Sequence, residues 1–144
     1  MRFICLTGLI LLLFLTFSCK KNSVSPQIIS MLQYKWSLIG YTMDYPGDSA
    51  ANLSYTGTDS DYFEFFPDDS LHQQFGFPNA PGYFTFTTAY YLSDNSTIVL
   101  RINATEHFTI LTLTDSSLVL SNPITLTFIG GNVYQGTRTM TFRR

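Results

Sequence analysis

Apolar and polar residues alternate in short runs along most of the chain after residue 33, and this period of two predicts β-strands. The clearest case is residues 106–120, in which the polar segment from Thr114 to Ser117 separates two apolar, β-branched runs at hairpin spacing. Further strands are predicted over residues 34–43, 61–66, 71–75, 83–92, 96–102, 124–129 and 137–143.

Short turns or loops join each predicted strand to the next, a pattern typical of an up-and-down antiparallel β-barrel. Residues 121–123 interrupt the apolar run from 118 to 129, either as a bulge within one strand or as a break between two strands. The predicted fold is therefore an all-β barrel of eight or nine strands. The stretch 44–58, rich in Pro, Gly, Ser and Asp, is predicted to be one long loop.

A short helix is predicted before the first strand, because Ser25 is a suitable N-cap and Pro26 suits the first helical position. The helix would span residues 26–33, and a helix of about two turns is not stable alone. Its apolar residues therefore need a surface to pack on. These residues are Ile28, Ile29, Met31 and Leu32.

Residues 106–113 offer such a surface, because alternation leaves apolar residues on both faces of this strand. Phe108 and Ile110 share the inner face, whereas Leu111 and Leu113 have the opposite parity and fall on the outer face. An outer face in contact with water is usually polar. We therefore expect the helix to cover the outer face of this strand.

Aromatic residues dominate the predicted inner faces of the strands. On the first strand, alternation places Trp36 on the inner face with Leu38 and Gly40, and Tyr41 on the other face. Aromatic residues inside an eight-stranded barrel either fill it completely or line a cavity for one small ligand. The candidate ligand-contacting residues are Trp36, Phe63, Phe65, Phe84, Phe86, Tyr90, Phe108 and Phe142.

The first 18 residues have the features of an export signal. Arg2 supplies a positive charge, residues 3–17 form an apolar run too short for a comfortable membrane span, and Ser18 precedes Cys19. Residues 15–19, LTFSC, resemble the lipobox of bacterial lipoproteins, and the ending SCKK is similar to leaders of the Bacteroidetes type. The alternative is an ordinary signal peptide or an uncleaved anchor.

The lipobox resemblance implies that Cys19 is lipidated and becomes the mature N-terminus. Residues 19–25 would then be a lipidated tether before a domain of residues 26–144. Because Lys20 follows the cysteine directly, the resemblance implies the outer membrane, with the domain facing the periplasm or, alternatively, the cell surface.

Cysteine usage and charge exclude several classes of function. Cys5 would leave with the leader and Cys19 would carry lipid, so the domain has no cysteine for a disulfide or a thiolate metal site. The formal net charge is −2, and no Lys or Arg lies between Lys35 and Arg101. Nucleic acid is therefore excluded as a partner, since phosphate binding needs a basic patch.

No motif in the sequence signals catalysis or a metal. His72 and His107 fall on different predicted strands, without the spaced partners that a zinc site needs. None of the abundant serine residues lies in a nucleophile elbow. We therefore expect no cofactor and no enzymatic activity.

From residue 33 onward the chain resembles the lipocalin-like domains of Bacteroidetes lipoproteins. The resemblance rests on the order of the segments KWSLIG, YFEFFPDDSL, GYFTF, FTILTLTDSSLVL and TMTFRR. In lipocalins an arginine from the end of the barrel stacks on the tryptophan of the first strand, which implies that Trp36 pairs with Arg138 or Arg144. Tyr34 stands where those proteins have a glycine.

The resemblance implies a lipid-anchored envelope protein that binds a small apolar or aromatic ligand inside its barrel. The alternative is a non-catalytic accessory lipoprotein that contacts another envelope protein through its loops. These loops are the segments 44–58 and 76–82.

Overall fold

A computed structural model describes residues 24–76, 82–101, 105–127 and 131–144. The predictions for the signal peptide, for Cys19 and for most of the tether lie outside these residues. So do Ile102 and residues 128–129, which were predicted to end strands. The described elements are helix α1 (Pro26–Leu32) and strands β1 (Lys35–Asp44), β2 (Leu53–Tyr55), β3 (Tyr62–Phe65), β4 (Ser70–Gly76), β5 (Tyr83–Asp94), β6 (Thr97–Arg101), β7 (Thr105–Leu113), β8 (Ser117–Thr127) and β9 (Val133–Arg143).

The strands form one antiparallel sheet in the order β2-β1-β3-β4-β5-β6-β7-β8-β9. The last strand, β9, pairs back with β1 from Ser37 opposite Arg143 to Asp44 opposite Thr137, and this pairing closes the sheet. The result is an eight-stranded barrel of β1 and β3 to β9, with β2 as one extra strand beside β1. The predicted barrel fold with a short N-terminal helix is confirmed.

Three strands differ from the predicted bounds. Residues 121–123 do not break the sheet, and β8 is a single strand from Ser117 to Thr127 that pairs with β9 along its whole length. The predicted long loop 44–58 contains strand β2 and a single 3₁₀ turn, Ser49–Ala51. Strand β9 begins at Val133, ahead of its apolar run, because its early residues pair with the outgoing half of β8.

A β-bulge reverses the alternation of faces within β1. The β1–β9 register shifts between Leu38 and Gly40, so Ile39 is an extra residue on this strand. After the bulge Tyr41 points inward and is buried, which corrects its predicted outer position. The loop residue Gly57 lies against the bulge, and a Cβ there would overlap the carbonyl of Leu38, so only glycine fits.

A second bulge reverses the faces within β7. The β7–β8 register shifts between Ile110 and Thr112, which makes Leu111 the extra residue. Leu113 therefore turns inward and packs against the core, while Leu111 is 59% exposed. The predicted apolar outer face of this strand is wrong, because the alternation used to derive it stops at the bulge.

Helix α1 lies across one end of the barrel, called here the closed end, where the turns at residues 67–69, 95–96 and 114–116 also lie. The backbone amide of Ser25 donates to Oδ1 of Asn95, at 2.7 Å. At the other end of the helix, the indole Nε1 of Trp36 donates to the carbonyl of Leu32, at 2.9 Å, and Leu32 is fully buried. The helix contacts β7 but leaves Leu111 exposed, so the prediction that it covers the outer face of β7 is wrong.

Candidate functional site

A cavity of about 140 Å³ lies inside the barrel, toward the end opposite the helix, called here the open end. Cross-strand register brings its walls to one level: Tyr41 lies opposite Met140, and Gln73 lies between Phe63 and Phe86. The residues that line the cavity are Tyr41, Phe63, Gln73, Phe75, Phe86, Leu100, Glu106, Phe108, Arg138 and Met140.

Three of the predicted ligand-contacting residues line this cavity: Phe63, Phe86 and Phe108. The ring of Phe75 contacts those of Phe63 and Phe86, with centroid distances of 6.2 Å to Phe63 and 6.4 Å to Phe86. Phe86 is 43% exposed, so the cavity reaches the surface at this ring. Phe84, also predicted, stacks nearly parallel on Phe86 at 6.3 Å and lies at the rim.

The other four predicted aromatic residues fill the closed half of the barrel. Trp36, Phe65, Tyr90 and Phe142 are buried in the core cluster and are not among the residues that line the cavity. Phe65 and Tyr90 meet edge to face at 5.0 Å, and the hydroxyl of Tyr90 donates to the carbonyl of Phe66, at 3.1 Å. The two predicted alternatives, a filled barrel and a barrel with a ligand cavity, thus apply to different halves. Aromatic residues fill the closed half, and the open half holds a cavity.

Arg144, rather than Arg138, stacks on the tryptophan of the first strand. Its guanidinium lies 3.9 Å from the ring centroid of Tyr34 and 5.6 Å from that of Trp36. Tyr34, which stands where lipocalins have a glycine, therefore takes the nearer place in the stack. Arg138 lies instead over the ring of Phe108, at 4.9 Å, in the cavity wall.

Arg138 is the centre of a polar group in the cavity wall. Its Nη2 lies 2.6 Å from Oε2 of Glu106, and its Nε donates to Oδ1 of Asn122, at 2.7 Å. Tyr41 lies close enough to interact with the same guanidinium. Burial raises the pKa of Tyr41, and the positive charge of Arg138 opposes this rise without cancelling it.

The same side chains span a gap in the barrel wall. The described backbone ladder between β7 and β8 stops at the pair Thr109–Ser121, although both strands continue toward the open end. Pro123 lies in the part of β8 that is paired with β9 but not with β7, and it has no amide hydrogen for a ladder bond. Because Glu106 is on β7 and Asn122 on β8, Arg138 links the two strands through side chains where backbone bonds are missing.

Gln73 is the cavity residue whose hydrogen bonding is incomplete. It is 3% exposed, and its Nε2 is a buried side-chain nitrogen without a hydrogen-bond partner. Buried polar groups are nearly always paired, since an unpaired donor has lost its hydration without replacement. Gln73 is therefore a cavity-lining residue with one unpaired side-chain donor.

A buried carboxylate holds the loops at the open end. Asp61 is fully buried and accepts hydrogen bonds from the Tyr55 hydroxyl at 2.6 Å, from both the amide and the hydroxyl of Thr58, and from the amide of Gly76 at 2.7 Å. Burial alone would raise the pKa of Asp61, but these hydrogen bonds outweigh it and leave the pKa below its usual value. Burial and the bond to Asp61 raise the pKa of Tyr55 to about 12.

The two histidines lie apart from the cavity. His72 packs against Phe66, with ring centroids 4.6 Å apart, and His107 is exposed on β7. Across the described residues, no three His, Cys, Asp or Glu side chains come together as a metal-binding group. Among the helices of the same residues, none is long and apolar enough to span a membrane.

Sequence reasoning missed the polar residues of the cavity lining. Gln73 has the same parity as Leu71 on one strand, and Glu106 the same parity as Phe108 on another, so both are polar residues at inner-face positions. These two polar positions on an inner face could have been predicted from the alternation, and they indicate a polar site. The inward position of Tyr41 could not have been predicted, because it depends on the bulge at Ile39.

No protein-family model matches the chain, and no curated protein matches it either. Solved structures with a similar course of the chain include bovine odorant-binding protein in complex with a selenium-containing odorant. It is 15% identical, with a TM-score of 0.48, over 88% of this chain and 78% of that one. The bovine lipocalin allergen Bos d 2 is 16% identical, with a TM-score of 0.44, over 77% and 72%. Aphrodisin, a sex pheromone from female hamster, is 17% identical, with a TM-score of 0.44, over 77% and 74%.

Proposed function

We propose that this protein is a non-enzymatic carrier that binds one small, largely apolar molecule in the open half of its barrel. The observation that carries the proposal is the cavity of about 140 Å³ within a barrel whose other half is filled. Protein interiors are close-packed, and voids larger than a water molecule are few. A void of this size, lined mainly by aromatic and aliphatic side chains, is suited to a ligand.

The volume sets the size of the ligand. An engineered cavity of about 150 Å³ lined by apolar side chains binds benzene, so this cavity suits a molecule of about one ring. Ligands of about seven non-hydrogen atoms gain at most about 1.5 kcal/mol per atom and usually much less. A binding free energy of about 5 kcal/mol, a Kd on the order of 0.1 mM, is a reasonable expectation for such a ligand.

Titration calorimetry with benzene-sized compounds tests the proposal. Leu100→Phe adds a ring in the cavity wall and should weaken binding at least fivefold. Leu111→Phe makes the same change at an exposed position and should leave binding unchanged. Equal binding by both variants, or no saturable binding by the unmodified protein, would overturn the proposal.

We further propose that lipidated Cys19 anchors the carrier to the outer membrane, with the barrel in the periplasm. The support is the leader, in which Ser18 and Cys19 follow an apolar run. Helix α1 lies at the closed end. The five residues 20–24, which link Cys19 to Ser25 before this helix, span at most roughly 17 Å. A lipid on Cys19 would therefore lie on the side away from the cavity mouth. Incorporation of labelled palmitate that is lost in Cys19→Ser supports the anchor, and incorporation that persists would refute it.

A second candidate function is contact with another envelope protein. It is favoured by aromatic side chains exposed at the open-end half of β5, where Tyr83 is 55% exposed and Phe84, at the cavity rim, is 40% exposed. Exposed aromatic residues are enriched at protein interfaces. Crosslinking in cells through position 83 should capture a stoichiometric partner, and its consistent absence would rule this candidate out.

A further inference from the structure

Gln73 lines the cavity and carries a side-chain donor that has no partner among the described residues. Its side chain is 3% exposed, it lines the cavity, and its Nε2 has no partner. It lies on β4 between Phe63 of β3 and Phe86 of β5, so aromatic rings flank it on both sides. Among the described residues no other buried side-chain nitrogen or oxygen lacks a partner. The position therefore calls for an acceptor supplied from outside the chain.

The charged groups of the cavity are already matched to each other. Arg138 and Glu106 form an ion pair at 2.6 Å, and Asn122 takes a further donor of Arg138. A ligand carboxylate would need a cation that is not engaged, and a ligand ammonium would need a free anion. Burial of a charge without a counter-charge is strongly unfavourable, so the cavity favours a neutral ligand.

We propose that Gln73 is a specificity-determining residue that selects neutral, ring-sized ligands carrying one hydrogen-bond acceptor, such as a carbonyl oxygen. This inference rests on the proposed function and names the chemical class of its ligand. The Nε2 donor gains a partner only when such an oxygen is present, whereas a pure hydrocarbon leaves it unpaired. The selectivity expected from pairing one buried donor is between about fivefold and a hundredfold.

A pair of ligands that differ in a single non-hydrogen atom tests this selection. Cyclohexanone and methylenecyclohexane have the same shape, and the oxygen of the first is replaced by a CH₂ group in the second. Calorimetry gives the Kd of both for the unmodified protein and for Gln73→Met, which keeps the side-chain length but removes the amide. Gln135→Met is the matched control, because Gln135 is exposed on β9, outside the cavity lining.

The ratio of the two dissociation constants is the readout, because it cancels any general change in the cavity. Gln73→Met should raise the Kd of cyclohexanone relative to that of methylenecyclohexane by at least fivefold. Gln135→Met should leave the ratio unchanged. A shift of less than twofold in Gln73→Met, with both compounds still bound, overturns the role of Gln73 but leaves the carrier function standing. If neither compound binds the unmodified protein, the carrier function itself fails.

Folding of the variant does not obscure the result. Removal of an unpaired buried amide is expected to be neutral or stabilising, so Gln73→Met should unfold at the same temperature as the unmodified protein or higher. Gln73→Leu provides a second apolar replacement of similar volume. Both apolar variants should shift the ratio in the same direction, and opposite shifts would contradict the proposal.

Discussion

Asp61 is the residue whose replacement should most clearly loosen the open end of the barrel. Its carboxylate is fully buried and accepts four hydrogen bonds, three on Oδ2 and one, from Gly76, on Oδ1. In Asp61→Asn one oxygen becomes an NH₂ group, and in either orientation this group faces at least one donor. The variant then buries an unpaired Gly76 amide or leaves Tyr55 and Thr58 without their acceptor.

The cost follows from the number of bonds affected. One buried donor left unpaired costs about 1 to 3 kcal/mol, and the remaining bonds change from a charged to a neutral acceptor. We expect the free energy of unfolding to fall by about 3 kcal/mol. At about 4 °C per kcal/mol for a domain of this size, the melting temperature should fall by about 12 °C.

Urea unfolding, followed by the fluorescence of the single tryptophan Trp36, measures this change. Asp59→Asn is the matched control, because Asp59 is exposed two residues earlier and should change stability by less than 0.5 kcal/mol. A loss of less than 1 kcal/mol in Asp61→Asn would refute the view that this carboxylate holds the open end.

The stabilising contribution of Asp61 should also depend on pH, in a direction that follows from its lowered pKa. The pKa of Asp61 is lower in the folded protein than in the unfolded chain, where it is about 3.9. Its stabilising contribution is therefore fully present above about pH 5 and is lost as the pH falls below 4 toward the folded pKa. Asp68 and Asp94, whose pKa values are lowered by hydrogen bonds from Ser70 and Ser96, titrate in both proteins. The stability difference between the unmodified protein and Asp61→Asn should therefore shrink on acidification, and a constant difference would contradict this reasoning.

Three further changes test other contacts of the barrel. Glu106→Gln keeps a hydrogen bond to Arg138 but removes the ion pair across the β7–β8 gap, and it should lower the free energy of unfolding in urea by about 1 kcal/mol. Arg144→Ala removes the stack on the first strand and should cost about 0.5 to 1 kcal/mol, with a red shift of Trp36 emission as the indole gains water. Leu32→Ala leaves a cavity at the closed end and should cost about 2 to 4 kcal/mol in urea unfolding.

Each of these changes has its own control. For Glu106→Gln, the difference from the unmodified protein should narrow in 1 M NaCl, and a difference that salt does not alter would contradict an ionic contribution. Arg143→Ala removes a neighbouring charge outside the stack and should leave Trp36 emission in place. Ile29→Ala shortens a helix residue that is 37% exposed, and a loss as large as that of Leu32→Ala would argue against the closed-end packing.

The barrel was predictable because its pattern is local and repeated. Alternation with a period of two fixes both the strand type and the inner face, and short turns between strands leave an antiparallel meander as the simplest arrangement. The burial of Trp36, Phe63 and Phe108 follows directly from this parity. Closure of the sheet through β1 and β9 removes the two free edges that an open sheet of these strands would leave.

Two kinds of feature were not predictable from alternation. The bulges at Ile39 and Leu111 each insert one residue, and no local pattern marks them, so Tyr41 and Leu113 were placed on the wrong faces. The second feature is the position of a residue along the barrel axis. Parity separates the inner face from the outer face but not the filled half from the open half. Phe142 and the other aromatic residues of the closed half were therefore grouped with those of the cavity.

The continuity of strand β8 was also not predictable from the sequence. Pro123 reads as a strand breaker, yet β8 continues through it because its pairing with β9 is intact there, from Asn122 opposite Arg138 to Pro123 opposite Thr137. On its other side the ladder with β7 ends at Ser121, two residues before the proline, so no ladder bond to β7 is needed from Pro123. Which neighbour a strand pairs with at a given residue is not contained in a single sequence.

The most direct test of a binding site in the open half is an NMR titration of methyl-labelled protein with cyclohexanone. The methyl signals of Leu100 and Met140, which line the cavity, should shift and saturate with the Kd found by calorimetry. The signal of Leu118, which is buried in the core cluster and is not among the lining residues, should stay in place and so provide the internal control. Saturable shifts at Leu118 with none at Leu100 and Met140, or no saturable shifts at any of the three, would contradict a ligand site in this cavity.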